Sequence, residues 1–193
     1  MALTPTQVKT FVDSFTYDSA ITGDVERKYL AHYVNIEEKV ESGTQTYNWE
    51  LLGYKVEDAS VEFNWDEEVT TDITGTTYKT IKKSEPEMTL DGYIINKKST
   101  FLDKLAKKAI RNAYSEFADN DVLTVYFWLS KTNTYLAKME TECSIVPASI
   151  GGEGNVGITP VITFSNKATF GSVAKGVGTE GTELVFTEGT AAE

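Results

Sequence analysis

The side chains that could do chemistry are few. Carboxylates dominate, with Asp66, Glu67 and Glu68 consecutive and Asp72 close behind. Hard cations such as Ca²⁺ take oxygen ligands. This cluster lacks the spacing of an EF-hand loop, however, and in a strand Glu67 points away from Asp66 and Glu68. Carboxylates sharing one strand face, Glu62 with Asp66 or Glu140 with Glu142, are the residue pairs that glycoside hydrolysis uses as acid and base. That chemistry needs one carboxyl in an apolar setting to raise its pKa, whereas Asn64, Glu68 and Thr70 make these surroundings polar. One histidine, His32, and one cysteine, Cys143, exclude multi-histidine and cysteine-based zinc sites and an internal disulfide. No Gly-x-Ser-x-Gly elbow accompanies His32. Cys143 shares its parity with Met139 and Ile145, the setting of a small core residue. The glycine-rich stretch 151–157 lacks the Lys-Ser/Thr of a P-loop and carries Glu153 where phosphate would be repelled. No catalytic residue, metal ligand or cofactor site is assigned.

The charge balance is more informative. The chain has 193 residues, with 18 Lys and Arg against 29 Asp and Glu, a formal charge of −11. That length fits one domain with arms. Its acidity disfavours duplex nucleic acid as a bound ligand and anionic membrane surfaces as partners. No apolar run approaches the roughly 20 residues that span a bilayer, and residues 1–10 lack the basic-then-apolar pattern of a secretory leader. The charge is also segregated. Residues 57–72 hold seven acids and no base, and residues 97–111 hold six bases and one acid, Asp103. Such segregation suits head-to-tail self-association.

The elements carrying these charges read mainly as strands, because Thr, Tyr and Phe are abundant and Pro is rare. Residues 56–73 alternate, with Val61, Phe63, Trp65, Val69 and Ile73 on one parity. Glu62, Asn64, Asp66, Glu68, Thr70 and Asp72 take the other. Thr74-Gly75 offers a turn, and residues 78–93 return through Lys79, Lys82 and Lys83, so that opposite charges can pair across a long hairpin. Glu85-Pro86 breaks it. Helical spacing predicts one amphipathic helix over about 99–117, with Leu102, Leu105, Ala109, Ile110, Tyr114 and Phe117 on its apolar side. Residues 122–129 read as a central strand. Residues 135–146 and 158–164 read as further strands, the last with Pro160 at an edge or bulge. Shorter strands are expected near 29–34 and 47–52, and residues 8–17 fit either strand or helix. From residue 171 onward Gly, Thr and Glu dominate, the composition of a disordered or loosely docked arm. Within it Leu184-Val185-Phe186 could dock on a neighbour.

A long acidic hairpin, one amphipathic helix, further strands and an arm together resemble the major tail tube proteins of long-tailed, siphovirus-like bacteriophages. The resemblance covers about residues 47–170. It is carried by residues 53–63, the Asp72-Ile-Thr-Gly75 tip, Met88-Thr-Leu-Asp-Gly92, helix residues 100–109 and residues 157–164. It implies a mainly β (α+β) fold: a β-sandwich or half-open barrel over residues 1–170, with one flanking helix, a long hairpin loop at about 56–93 and a C-terminal arm at 171–193. It also implies a homohexameric ring stacked into a tube, with other tail proteins as partners. Such a protein is made in the host bacterial cytoplasm and ends in the virion.

Carried over by position, Thr70, Thr74, Gly75, Tyr78, Lys79 and Lys82 become candidate inter-ring contacts. An acidic lumen would repel double-stranded DNA and let it slide as transient cargo during ejection. Glu62, Asp66, Glu68 and Asp72 form one candidate lumen row, and Glu140 and Glu142 another. The alternative, from a different class, is a monomeric β-sandwich binding module of carbohydrate-binding or adhesin type, using Tyr47, Trp49, Tyr126 and Trp128.

Overall fold

The computed structural model describes residues 3–37, 45–53, 56, 58–175 and 184–190. Glu57 and part of the expected arm lie outside the described residues. Thr4, Pro5 and Gln7 start α1 (Pro5–Asp13). The Thr4 hydroxyl accepts from the Gln7 N–H at 3.4 Å while the Gln7 side chain accepts from the Thr4 N–H at 2.9 Å. This reciprocal capping box, with proline at the first helical position, resolves the segment left open between strand and helix. Then come β1 (Thr16–Tyr17), β2 (Leu30–Asn35), β3 (Trp49–Leu51), β4 (Val61–Glu62), β5 (Glu67–Thr71), β6 (Thr77–Ile81), β7 (Glu87–Thr89) and β8 (Tyr93–Ile94). The second helix, α2 (Thr100–Ile110), precedes β9 (Asn120–Lys131), β10 (Thr134–Gly151), β11 (Gly157–Thr163), β12 (Ala168–Ala174) and β13 (Phe186–Glu188). No helix among the described residues is long and apolar enough to cross a membrane.

The fold is mainly β and sandwich-like, and its large antiparallel sheet does not close into a barrel. One half runs β3-β2-β9-β10-β12-β13, and the other runs β10-β11-β7-β4. The strand common to both is β10, 18 residues long. Its register breaks between Glu140 and Cys143, where Glu142 takes φ 59°. A bulge of this kind bends a strand and changes which face its side chains meet. Before it, Ala137 and Met139 pack in one core with Tyr33, Leu123, Val125, Val173 and Leu184. After it, Cys143 and Ile145 pack in another, between the two halves and against Leu102 and Leu105 of α2. The unbroken alternation expected over 135–146 is therefore corrected: one parity serves two cores. Strand β9 is central as expected, held between β2 and β10. Pro160 is at a bulge of the β10–β11 pair, as expected. It is opposite Pro147, next to the bulge in β10, and its carbonyl accepts from Leu90 N–H at 2.9 Å.

Helix α2 is capped twice at its start. Ser99 Oγ accepts from the Leu102 N–H at 3.1 Å. Glu50, on β3, accepts from the Thr100 and Phe101 N–H groups at 2.9 and 3.0 Å and from the Ser99 hydroxyl. A carboxylate here satisfies orphan donors and complements the helix dipole. The helix stops seven residues earlier than its spacing suggested. Asn112 takes φ 52°, its N–H donates to the Ala109 carbonyl, and the Ala113 N–H donates to the Lys108 carbonyl, both at 3.0 Å. This is a Schellman stop with asparagine in the left-handed position.

The C-terminal segment docks on its own chain. Leu184 is buried and β13 pairs with β12. Gly171 permits the approach, because a Cβ there would lie 2.2 Å from the Thr187 carbonyl oxygen and 2.6 Å from the Phe186 ring. Gly171→Ala is expected to cost about 1–3 kcal/mol through overpacking. It should also speed amide exchange across residues 186–188. Unchanged exchange there would mean that β13 is not docked in solution.

Candidate assembly surface

Strands β5 and β6 pair only with each other, as a ribbon separate from the large sheet. Five residues per strand give a projection of roughly 17 Å. The long continuous hairpin expected over 56–93 is thus corrected: it breaks at Phe63–Asp66 and again before β7. Asn64 supplies the first break, at φ 47°, a conformation asparagine tolerates better than most residues, and its amide donates to the Glu85 carbonyl at 3.1 Å. The expected apolar face therefore lies in solvent. Phe63, Trp65, Val69, Ile73 and Ile81 are all more than half exposed, Ile73 completely. Phe63 and Trp65 stack on each other, centroids 6.0 Å apart.

The register, with Thr70 opposite Tyr78 and Val69 opposite Lys79, puts Glu67, Val69, Lys79 and Ile81 on one ribbon face. Glu68, Thr70, Tyr78 and Thr80 take the other. The expected cross-strand charge pairing is present. Lys79 meets Glu67 at 2.5 Å, and Lys82 bridges Asp66 at 3.5 Å and Glu68 at 3.2 Å. At the tip, Asp72 closes the turn. One of its oxygens accepts from the Thr74 N–H at 2.8 Å, the Thr74 hydroxyl at 2.6 Å and the Thr76 N–H at 3.0 Å, and the other accepts from Tyr78 at 3.1 Å. The Thr74 hydroxyl, followed by the backbone donors and Tyr78, holds this carboxyl below the usual carboxylate range. Gly75, at φ 83°, allows the reversal.

The candidate acids separate into different settings. Glu62 is on β4, directly opposite Glu87. Asp66, Glu68 and Asp72 belong to the ribbon. Glu140 and Glu142 do not form a row, because the β10 bulge divides them. Glu142 is exposed and pairs with Lys167. Glu140 is 2% exposed and pairs with Lys138 at 2.8 Å. Beside that pair, Lys138 and His32 flank Thr124 on adjacent strands. The buried His32 Nδ1 is 3.1 Å from the Thr124 hydroxyl. This buried polar row has no signal in the sequence beyond a lone histidine in an apolar strand.

The basic side of α2 is tethered to its own chain. Lys104 donates to the Ile36 carbonyl at 2.6 Å and Lys108 to the Glu116 carbonyl at 2.9 Å. Lys107 pairs with Asp103 at 2.6 Å and Arg111 with Glu116 at 3.0 Å. Next to the helix is a cleft of about 410 Å³, with Phe101, Leu105 and Ile145 among its apolar lining and Lys108, Ser115 and Glu116 among its polar lining. Among the described residues no group of three His, Cys, Asp or Glu side chains could hold a metal ion. Burial pushes the Cys143 thiol up to about 11, which suppresses the thiolate a nucleophile needs.

No protein-family model and no curated protein matches the chain. Among the solved structures similar to it are the following two. One is the sheath/tube terminator of an extracellular contractile injection system, PVC, in its extended state. It is 11% identical with a TM-score of 0.42, over 78% of this chain and 98% of that one. The other is the tube-terminating cap of the anti-feeding prophage, AFP. It is 13% identical with a TM-score of 0.38, over 79% of this chain and 94% of that one.

Proposed function

We propose that this chain is a structural subunit of a phage-tail-like tube. It self-associates into rings that stack, works with other tail proteins, and carries no catalytic activity or cofactor. The observation that supports this reading is the ribbon. A two-stranded ribbon is marginally stable alone, and this one leaves Val69, Ile73 and Ile81 in solvent, preceded by the exposed Phe63–Trp65 stack, large apolar side chains that a monomer would ordinarily bury. A neighbouring copy that covers them removes both problems. Glu62, Asp66, Glu68, Asp72 and Glu142 remain the candidate acids to face a channel and keep DNA moving by repulsion. Glu140 is withdrawn from that role because it is buried against Lys138.

Negative-stain microscopy and sedimentation of concentrated purified protein are expected to show rings or tubes. A strictly monomeric species at every concentration would sink the proposal. The exposed Phe63–Trp65 stack gives a second reading some footing, since a flat aromatic platform suits a sugar ring. A monomer whose glycan binding is lost in Trp65→Ala would establish that module instead.

A further inference from the structure

We propose that the surface receiving the ribbon on the next copy is the C-terminal end of α2, where Ile110 and Tyr114 stand among Lys107, Lys108 and Arg111. This deepens the tube reading by naming the partner surface of the ribbon, and it rests on self-association of the chain.

Three observations carry it. First, the Schellman stop at Asn112 turns the chain out of the helix just where the apolar spacing would have continued into the core. Ile110 is left 76% exposed and Tyr114 85% exposed. Both are large apolar side chains left uncovered by the chain itself, the counterpart of the uncovered ribbon.

Second, the charges are complementary. Residues 97–111 carry six bases and one acid, and residues 61–72 carry five acids and no base. Lys79, Lys82 and Lys83 on the returning strand offset only part of that acidity. The intrachain pairs on both surfaces are about half exposed, so exchanging them for pairs between copies costs little. Ribbon against ribbon would instead set acid against acid, which is unfavourable.

Third, Ile73 at the ribbon tip is a fully exposed aliphatic knob, an apolar partner of the kind Ile110 and Tyr114 lack within their own chain. The resulting contact is heterologous, so each copy offers one ribbon and one receptor. Repeated, that contact closes into a ring or extends into a stack.

Site-directed cross-linking tests the contact itself. The only native cysteine, Cys143, is buried, so introduced thiols report cleanly. Ile73→Cys protein and Tyr114→Cys protein are mixed under assembly conditions and treated with a short bis-maleimide. The expected main product is the mixed dimer. Its yield should fall about tenfold when Ile110→Glu is added to the Tyr114→Cys chain, the scale of losing one interface anchor. Arg111→Glu, on the exposed surface and with little risk to folding, should reduce it as well. Ile73–Ile73-position homodimers as the main product, or assembled particles with no mixed dimer, would overturn the docking while leaving the tube reading intact. A wild-type chain that never assembles overturns both.

Discussion

Glu140→Ala is expected to lower folding stability by about 3–5 kcal/mol, the cost of leaving one member of a buried ion pair without its partner. The Glu140 side chain is 3% exposed and that of Lys138 19%, with 2.8 Å between the charged atoms. Both belong to β10, on the face that packs toward the core between the two halves of the sheet. Removal of the carboxylate would strand an ammonium there. For a chain of this size that loss corresponds to a fall in midpoint temperature of about 10 °C.

The partner experiment is Lys138→Met with Glu140→Leu, which removes both charges and keeps volume. It should recover most of the loss, because an apolar replacement of a buried pair is often neutral. Calorimetry on the three proteins decides the matter. If Glu140 faced a channel in the folded subunit, the single substitution would leave the midpoint unchanged and alter only DNA passage. In the proposed tube, the candidate lumen acids that remain are those outside the core, Glu62, Asp66, Glu68, Asp72 and Glu142. Replacing Glu62, Asp66 and Glu68 with lysine should reduce assembly if these acids dock on the basic helix end of the next copy, and should slow ejection from particles that still assemble if they face the lumen.

The location of Glu140 shows where a sequence ceases to specify a face. The alternation over residues 135–146 is visible in the residue types, and so is the strand. The bulge is not, because nothing in Thr141-Glu142 marks a residue at positive φ. A single extra residue reverses which core each parity meets. Asn64 and Asn112 were better signals. Both are asparagines at positive φ, and reading them as breakers would have ended the acidic strand and α2 where they do end. The Thr4–Gln7 capping box was likewise legible and decides α1. Cross-strand pairing of Lys79 and Lys82 with Glu67, Asp66 and Glu68 followed from charge spacing alone, since opposite charges on paired strands find each other once the turn at Thr74-Gly75 is placed. By contrast, the exposure of Phe63, Trp65, Ile110 and Tyr114 depends on tertiary context. Apolar residues at regular spacing are assigned to a core by default, and only the fold shows that the core has run out before reaching them.

Acidification from pH 7 to 4 is expected to remove about 3 kcal/mol of stability through His32 alone. Burial, aided by the charges of Arg27 and Lys138, lowers its pKa from 6.5 to about 4. The imidazole is 2% exposed, and its Nδ1 bonds the Thr124 hydroxyl, so the folded chain holds it neutral. In the unfolded chain it protonates near 6.5. Between these values the unfolded state binds more protons than the folded state, so stability falls as pH drops through the window and the loss is complete below about 4. A difference of about 2.5 units gives about 3 kcal/mol. Asp18 adds its own sensitivity lower down. Its carboxyl is held below the usual range by Lys175, so the stability it lends is lost only as pH falls through the acid range beneath. Urea titrations at pH 7, 5.5, 4.5 and about 3 separate the two effects. His32→Gln stays neutral in both states and should flatten the slope between pH 6.5 and 4.5 while leaving the loss at lower pH. It should be less stable than the parent at pH 7 and lose less on acidification. Parallel slopes for the two proteins would mean that the imidazole is solvated in the folded chain and that the row it shares with Thr124 and Lys138 opens to water.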